Sequence, residues 1–284
     1  MKENEFESIK NDFLDIYTAI RDLTDDEILN GPEDIFRSHF ERLQRLIARD
    51  VEDHLADELL YDRRFRSITK HISHLKTLNG LRMEIKHAQS IIAALDPWIA
   101  VQGFTYYPNY LRLADMEYRG ADLKPGDRVV FLGSGPLPLS LICLCKQYGV
   151  QGIGIEQVPQ YAKLSQKLVE ALELTEYIQI VQGNHFSLPL NEECMLVMVA
   201  ADAGPKDEIF AHFAKTLPNG ARLSYRIYEK GLRRLMDDQA NFDPPLAFKE
   251  CLRIRPEPPV NNTSVFLVKD IKRQRMNLAP FGQT

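Results

Sequence analysis

No apolar run in this chain approaches the ~20 residues that a helix needs to span a bilayer, and the first residues, Met1-Lys-Glu-Asn-Glu5, are charged. A membrane span and a signal peptide are therefore not expected, and a cytoplasmic location is. Basic charge is not in excess either. Lys and Arg number 35 against 40 Asp and Glu, a net charge of −5, and the basic residues are scattered rather than striped, which argues against a nucleic acid as partner. There are four cysteines, Cys143, Cys145, Cys194 and Cys251, in otherwise apolar stretches and without metal-type spacing. They read as core residues of a protein in a reducing compartment. Repeats and low-complexity segments are also absent, and no strand-like alternation occurs before residue 127.

What is present divides in two. Residues 1–118 carry apolar side chains at helical spacing: Phe6, Ile9, Phe13, Ile16, Tyr17, Ile20 and Leu23; then Ile35, Phe36, Phe40, Leu43, Ile47 and Val51; then Phe65 to Leu75 and Leu81 to Ile92. Thr24 with Glu27 makes a possible capping box, and Gly31-Pro32 a break. This half reads as a helical domain. His71 and His74, three apart on a helix, could share a metal, but no further ligand completes a site. Glu84 lies beside the apolar stripe, and taken alone it reads as a rim carboxylate paired with Arg82 or Lys86. The aromatic run Phe104-Thr-Tyr-Tyr-Pro-Asn-Tyr110 is either core or the wall of a pocket.

Residues 119–284 alternate strands and helices, the pattern of an α/β fold with a Rossmann-like, doubly wound sheet. The expected strands are Val129–Leu132, Gly152–Ile155, Ile178–Val181, Met195–Ala200 and Arg222–Ile227. Two more, 248–255 and 264–268, are joined by a Pro-rich turn without a helix and should close the sheet as an antiparallel pair, a pattern of S-adenosylmethionine-dependent enzymes more than of dehydrogenases. The first strand runs into Gly133-Ser134-Gly135, with a helix opened by Pro136 and Pro138. Glycines admit a ligand close to the backbone, and a helix start offers free N–H groups. Ligands of such sheets lie beyond the carboxyl ends of the strands. Those ends carry Gly133, Ser134 and Gly135; Glu156, at the interval of a ribose-binding acid; Gly183-Asn184; and Ala200-Ala201-Asp202. Asn184 could bond an adenine edge or simply form the turn, and His185 reads as a solvated loop residue.

The string Phe131-Leu-Gly-Ser-Gly-Pro-Leu-Pro-Leu139, with Tyr106-Tyr-Pro-Asn-Tyr110 before it and Met198-Val-Ala-Ala201, Pro205-Lys206 and Val260-Asn-Asn-Thr-Ser264 after it, resembles the nicotianamine synthase family, its archaeal branch above all. The resemblance spans about residues 80–268. It implies a transferase that moves the 3-amino-3-carboxypropyl arm of S-adenosylmethionine onto an amine and releases methylthioadenosine. Its acceptor would be a small amino acid or aminobutyrate compound, its product a metallophore, and the enzyme itself would need no metal.

By the same resemblance Glu84 aligns with the catalytic glutamate and Tyr110 with the tyrosine beside it. Gly133, Ser134, Gly135, Glu156, Asn184, Ala200 and Ala201 would hold the S-adenosylmethionine, and Tyr107, Tyr225, Arg226 and Asn262 the substrate carboxylates. Val158 stands where the family usually has a second acid, and Asn184 where aspartate is common. Alternatives are a single transfer to histidine or another amino acid, as in opine metallophore synthesis, a conventional methyltransferase, or a non-catalytic binder.

Overall fold

The computed structural model describes residues 2–188, 194–237, 242–257 and 260–270. The chain forms two compact units, residues 1–83 with 228–241, and residues 84–227 with 242–284.

The first unit contains α1 (Lys2–Ile20), α2 (Asp25–Asn30), α3 (Arg37–Ile47), α4 (Asp53–Tyr61) and most of α5 (Arg63–Ala93). The periodic apolar residues of α1 meet those of α3 to α5 in one core, in which Phe13 and Phe65 pack edge to face at 5.5 Å. Leu232, Leu235 and Met236, from the 3₁₀ turn Gly231–Met236, complete it. The capping box forms as expected: the Glu27 amide donates to Thr24 Oγ1 at 3.2 Å and the Thr24 amide to Glu27 Oε2 at 2.8 Å.

Three expectations change here. The faces at 65–75 and 81–92 belong to one 31-residue helix, because Gly80 is a solitary glycine with no proline beside it. Val51 lies past the end of α3, in the turn before α4. Ile35, expected in the core, is 53% exposed, because it lies in the 3₁₀ turn Glu33–Ile35 before α3 begins.

The second unit adds α6 (Pro97–Gln102), α7 (Tyr107–Gly120), β1 (Arg128–Leu132), α8 (Leu139–Tyr148), β2 (Gln151–Glu156), α9 (Pro159–Ala171), β3 (Ile178–Gln182), β4 (Leu196–Val199), α10 (Lys206–Thr216), β5 (Arg222–Ile227), β6 (Phe248–Ile254) and β7 (Thr263–Lys269). The sheet order is β3-β2-β1-β4-β5-β7-β6. The first five strands pair in parallel, and β7 runs antiparallel to both β5 and β6. Alternate residues of β1 enter opposite cores, Val129 and Phe131 on one face of the sheet and Val130 and Leu132 on the other. A strand buried on both faces is apolar at every position, which is why it reads as an unbroken run.

The boundary near residue 118 does not hold. Ala88, Ile91, Val101, Phe104, Ala114 and Ala121 share one core with Val129 and Phe131, so the end of α5, α6 and α7 cover the sheet. Pro136 and Pro138 lie in the turn before α8, with Pro138 as its cap, rather than inside the helix. Of the cysteines, Cys143 and Cys145 are buried, but Cys251 is exposed because β6 is the edge of the sheet. Within the Pro-rich turn, Pro258 and Pro259 lie outside the described residues. No helix among the described residues is long and apolar enough to cross a membrane.

Candidate active site

The two glycines after β1 have positive φ, +78° at Gly133 and +69° at Gly135, a region that L side chains rarely adopt. Space is tight there as well. A Cβ on Gly133 would lie 2.8 Å from the Ala203 Cβ and 3.3 Å from that of Ala200, and one on Gly135 would lie 3.2 Å from Glu84 Oε2. The loop after β4 thus packs on the first glycine and Glu84 on the second.

The amides of this turn itself are not free. Those of Gly133 and Ser134 both donate to the Ile155 carbonyl, at 2.9 and 3.1 Å, and that of Gly135 donates to Glu156 Oε2 at 3.0 Å. The other Glu156 oxygen accepts from the Val158 amide at 2.8 Å. Glu156 is buried, and hydrogen bonds from two backbone donors clamp it across the ends of β1 and β2. Ser134 is buried between them, its Oγ 3.0 Å from where a Gly154 Cβ would stand.

Glu84 is half-buried, and Tyr110 Oη donates to its Oε1 at 3.4 Å. Burial, then the charge of Asp202, and more weakly that of Glu156, raise its pKa to about 8; the Tyr110 hydrogen bond pulls the other way. Arg82 does not pair with it, because its guanidinium donates to the Ile28 and Gly31 carbonyls at 2.8 and 2.7 Å. Tyr110 is held from behind by a stack of rings, with His87 on Phe104 at 4.3 Å and Phe104 on Tyr110 at 6.5 Å. The aromatic run is thus both core and wall. Tyr107, the first residue of α7, is half-buried, and burial raises its pKa.

The loop after β4 is fixed by Lys206, 1% exposed, whose Nζ donates to the Ala201 carbonyl at 2.6 Å. Asp202 in this loop was legible only as a strand-end acid; its action on Glu84 arises from tertiary packing. Asn184 caps the 3₁₀ turn His185–Ser187, its Oδ1 accepting from the Phe186 amide at 3.0 Å. The turn-forming role is thus taken up. His185 is not simply solvated, since its ring lies 4.1 Å from Phe186 and 5.5 Å from His212, and burial followed by His212 lowers its pKa.

The four expected carboxylate-holding residues are not brought together as one group. Tyr225 and Arg226 point to opposite faces of β5. Tyr225 is packed among Phe210 and Phe242, while Arg226 donates to Glu117 Oε1 at 3.2 Å and to Ser140 Oγ at 2.8 Å. Ser264, opposite Arg226 in register, also donates to Glu117 Oε1. Glu117 was not singled out from the sequence, where it reads as one more polar residue of a helix. Among the described residues, Arg226 Nη2 and Asn262 Nδ2 are buried without a partner. In the first unit His74 binds Asp25 at 2.8 Å while His71 packs edge-on against Tyr17, so the two do not share a ligand.

Around one glycine turn the fold therefore gathers Glu84, Tyr110, Glu156, Asp202 and Ala200. With its amides spent and three carboxylates around it, the turn suits a cation better than a phosphate. This sheet order, with a glycine turn after β1 and an acid ending β2, defines an S-adenosylmethionine-dependent transferase fold. The profile described as nicotianamine synthase protein matches residues 2–274, and the chain belongs to that family, whose enzymes transfer the aminocarboxypropyl arm.

Among solved structures, a glutamate-to-glutamine variant of MtNAS in complex with S-adenosylmethionine is 26% identical with a TM-score of 0.77, covering 92% of this chain and 97% of that one. MtNAS in complex with MTA and tNA is 25% identical with a TM-score of 0.75, covering 95% and 98%. A curated relative, L-histidine 2-aminobutanoyltransferase of Yersinia pestis, is 21% identical over 207 residues, 71% of this chain and 76% of that protein.

Proposed function

We propose that this protein moves the 3-amino-3-carboxypropyl group of S-adenosylmethionine onto the amine of a small amino-acid acceptor, with Glu84 as general base. The observation that carries this reading is the Glu84 carboxylate, hydrogen-bonded to Tyr110 and lying over Gly135. All three carbons on a sulfonium are electrophilic, so the site selects the reaction by which carbon it presents to the nucleophile. An amino-acid nitrogen arrives mostly as ammonium and cannot attack until a base takes a proton. A carboxyl with a pKa of about 8 is matched to that task near neutral pH.

Tyr110 orients the carboxylate or relays the proton. Gly133, Ser134 and Gly135 admit the methionyl part of the co-substrate, Glu156 the ribose, and Ala200 and Ala201 the adenine region with Asn184. The buried Arg226 Nη2 and Asn262 Nδ2 are donors available to a carboxylate, and Tyr107 is a further candidate. Tyr225 drops out of this set, because its ring belongs to the aromatic core.

Two acceptors follow from the relatives. The curated relative is named for histidine, which supports a single transfer. The family profile supports repeated transfer that builds a nicotianamine-like metallophore. Incubation with S-adenosylmethionine and a panel of amino acids, read by mass spectrometry, tests both. Methylthioadenosine is the expected by-product; one added aminobutyrate unit marks the first case, and two or three mark the second. S-adenosylhomocysteine as by-product would overturn the proposal in favour of a methyltransferase, and no turnover with any amine would leave a binding protein. Glu84→Gln is expected to abolish transfer while retaining S-adenosylmethionine binding.

A further inference from the structure

We propose that the sulfonium of S-adenosylmethionine is the switch of its own reaction: entering beside the carboxylates of Glu84, Glu156 and Asp202, its positive charge drives the proton off Glu84. The base is then armed only when the electrophile is in place. This rests on Glu84 being the base of the proposed function, and it adds Asp202 as a positioning residue that acts through Glu84.

The geometry comes from three elements converging on one turn. Glu84 Oε2 stands 3.2 Å from where a Gly135 side chain would begin. Glu156 holds the Gly135 amide from the end of β2. The loop after β4, with Ala203 against Gly133 and Lys206 bonded to the Ala201 carbonyl, carries Asp202 between them. The charged and titratable groups acting on Glu84 are thus Tyr110 on α7, Glu156 after β2 and Asp202 after β4. On its own helix, Arg82 is bonded to carbonyls and Lys86 is exposed. Without a ligand, burial first and then the like charges of Asp202 and Glu156 disfavour the ionised form of Glu84, and it is neutral over much of the physiological range.

The reaction fixes how near the sulfonium must come. Glu84 must reach the attacking nitrogen at about 3 Å, and the nitrogen must lie about 3–3.5 Å from a carbon bonded directly to sulfur. With the path bent at the tetrahedral nitrogen, the sulfonium sits roughly 6 Å from Glu84. At that distance and an effective dielectric of about 20, a unit charge changes the ionisation ratio of a carboxyl about a hundredfold. The O–H bond of Glu84 breaks and the proton passes to water. Starting from a pKa of about 8, Glu84 would go from about one-tenth to about nine-tenths ionised at pH 7, a release of roughly 0.8 proton per ligand bound.

Isothermal titration calorimetry at pH 7 in buffers of different ionisation enthalpy counts those protons. S-adenosylhomocysteine is the control, since it has the same adenosine and amino-acid parts without the charge on sulfur. The expected result is that S-adenosylmethionine releases roughly 0.8 proton more than S-adenosylhomocysteine, that Glu84→Gln erases the difference, and that S-adenosylmethionine binding tightens about 25-fold from pH 6 to pH 8 in the wild type. Asp202→Asn should shrink the difference, because Glu84 then starts more ionised, and this variant decides the matter should Glu84→Gln fail to fold. Equal release with the two ligands would overturn the switch, as would release unchanged in Glu84→Gln. Release unchanged in Asp202→Asn would remove Asp202 from it. Failure of the underlying reading looks different: Glu84→Gln would still turn over, whatever the proton count.

Discussion

At the scale of single residues, the chemistry depends on a few atoms whose environment can be changed one at a time. Because Glu84 has its pKa raised to about 8, a rate that requires its ionised form should climb with pH. The kcat/KM for S-adenosylmethionine is expected to rise about tenfold per pH unit below pH 8 and level above it, measured by methylthioadenosine release. Stability moves the opposite way. The folded state binds the Glu84 proton between the ordinary value of 4.5 and about 8 while the unfolded state does not, so folding is favoured below this window and loses that advantage as pH rises through it. Glu84→Gln should therefore gain stability over the wild type between pH 5 and 9, by about 2 kcal/mol once screening is allowed for, in urea titrations. Gly135→Ala puts a methyl at positive φ and against Glu84. It should cost about 1–2 kcal/mol and weaken S-adenosylmethionine binding at least tenfold.

At the scale of elements, the buried Arg226–Glu117 pair ties α7 to β5, with Ser140 of α8 hydrogen-bonded to Arg226 and Ser264 of β7 to Glu117. Removing one partner leaves a buried charge uncompensated. Glu117→Leu should cost about 3–5 kcal/mol in denaturant unfolding, far more than Thr24→Ala at the α2 cap, about 1 kcal/mol. These elements differ in how readable they are. The capping box of Thr24 and Glu27 is local, four residues with a known pattern, and it forms as written. The strands of the parallel sheet were legible because both faces are buried, and the runs at 129–132 and 196–199 are apolar throughout.

Glu117 was not legible, because nothing in its neighbourhood says that Arg226, more than a hundred residues on, will meet it. Asp202 escaped for the same reason. It follows an apolar strand as any loop acid might, and only the packing of its loop on Gly133 gives it a target. Glu84 lay on the boundary between these cases: its helix was plain, but its role came from family likeness and its surroundings from the fold.

At the scale of the whole molecule, the two units are not consecutive in sequence. Leu232, Leu235 and Met236 belong to the core made by α1 to α5, and Arg234 pairs with Asp57 of α4 at 2.8 Å. A fragment of residues 84–284 should therefore expose three large apolar side chains and aggregate. Replacing residues 229–237 by a Gly/Ser linker in that fragment should restore solubility, read by size-exclusion chromatography. The glycine turn has a consequence at this scale too. ATP and the nicotinamide dinucleotides share an adenosine with S-adenosylmethionine, but each carries several negative charges where the latter carries a positive sulfur. A turn whose Gly133, Ser134 and Gly135 amides already serve Ile155 and Glu156 does not offer them to a phosphate, and its three acids repel one. ATP is therefore expected not to displace S-adenosylmethionine from this turn, as competition calorimetry would show.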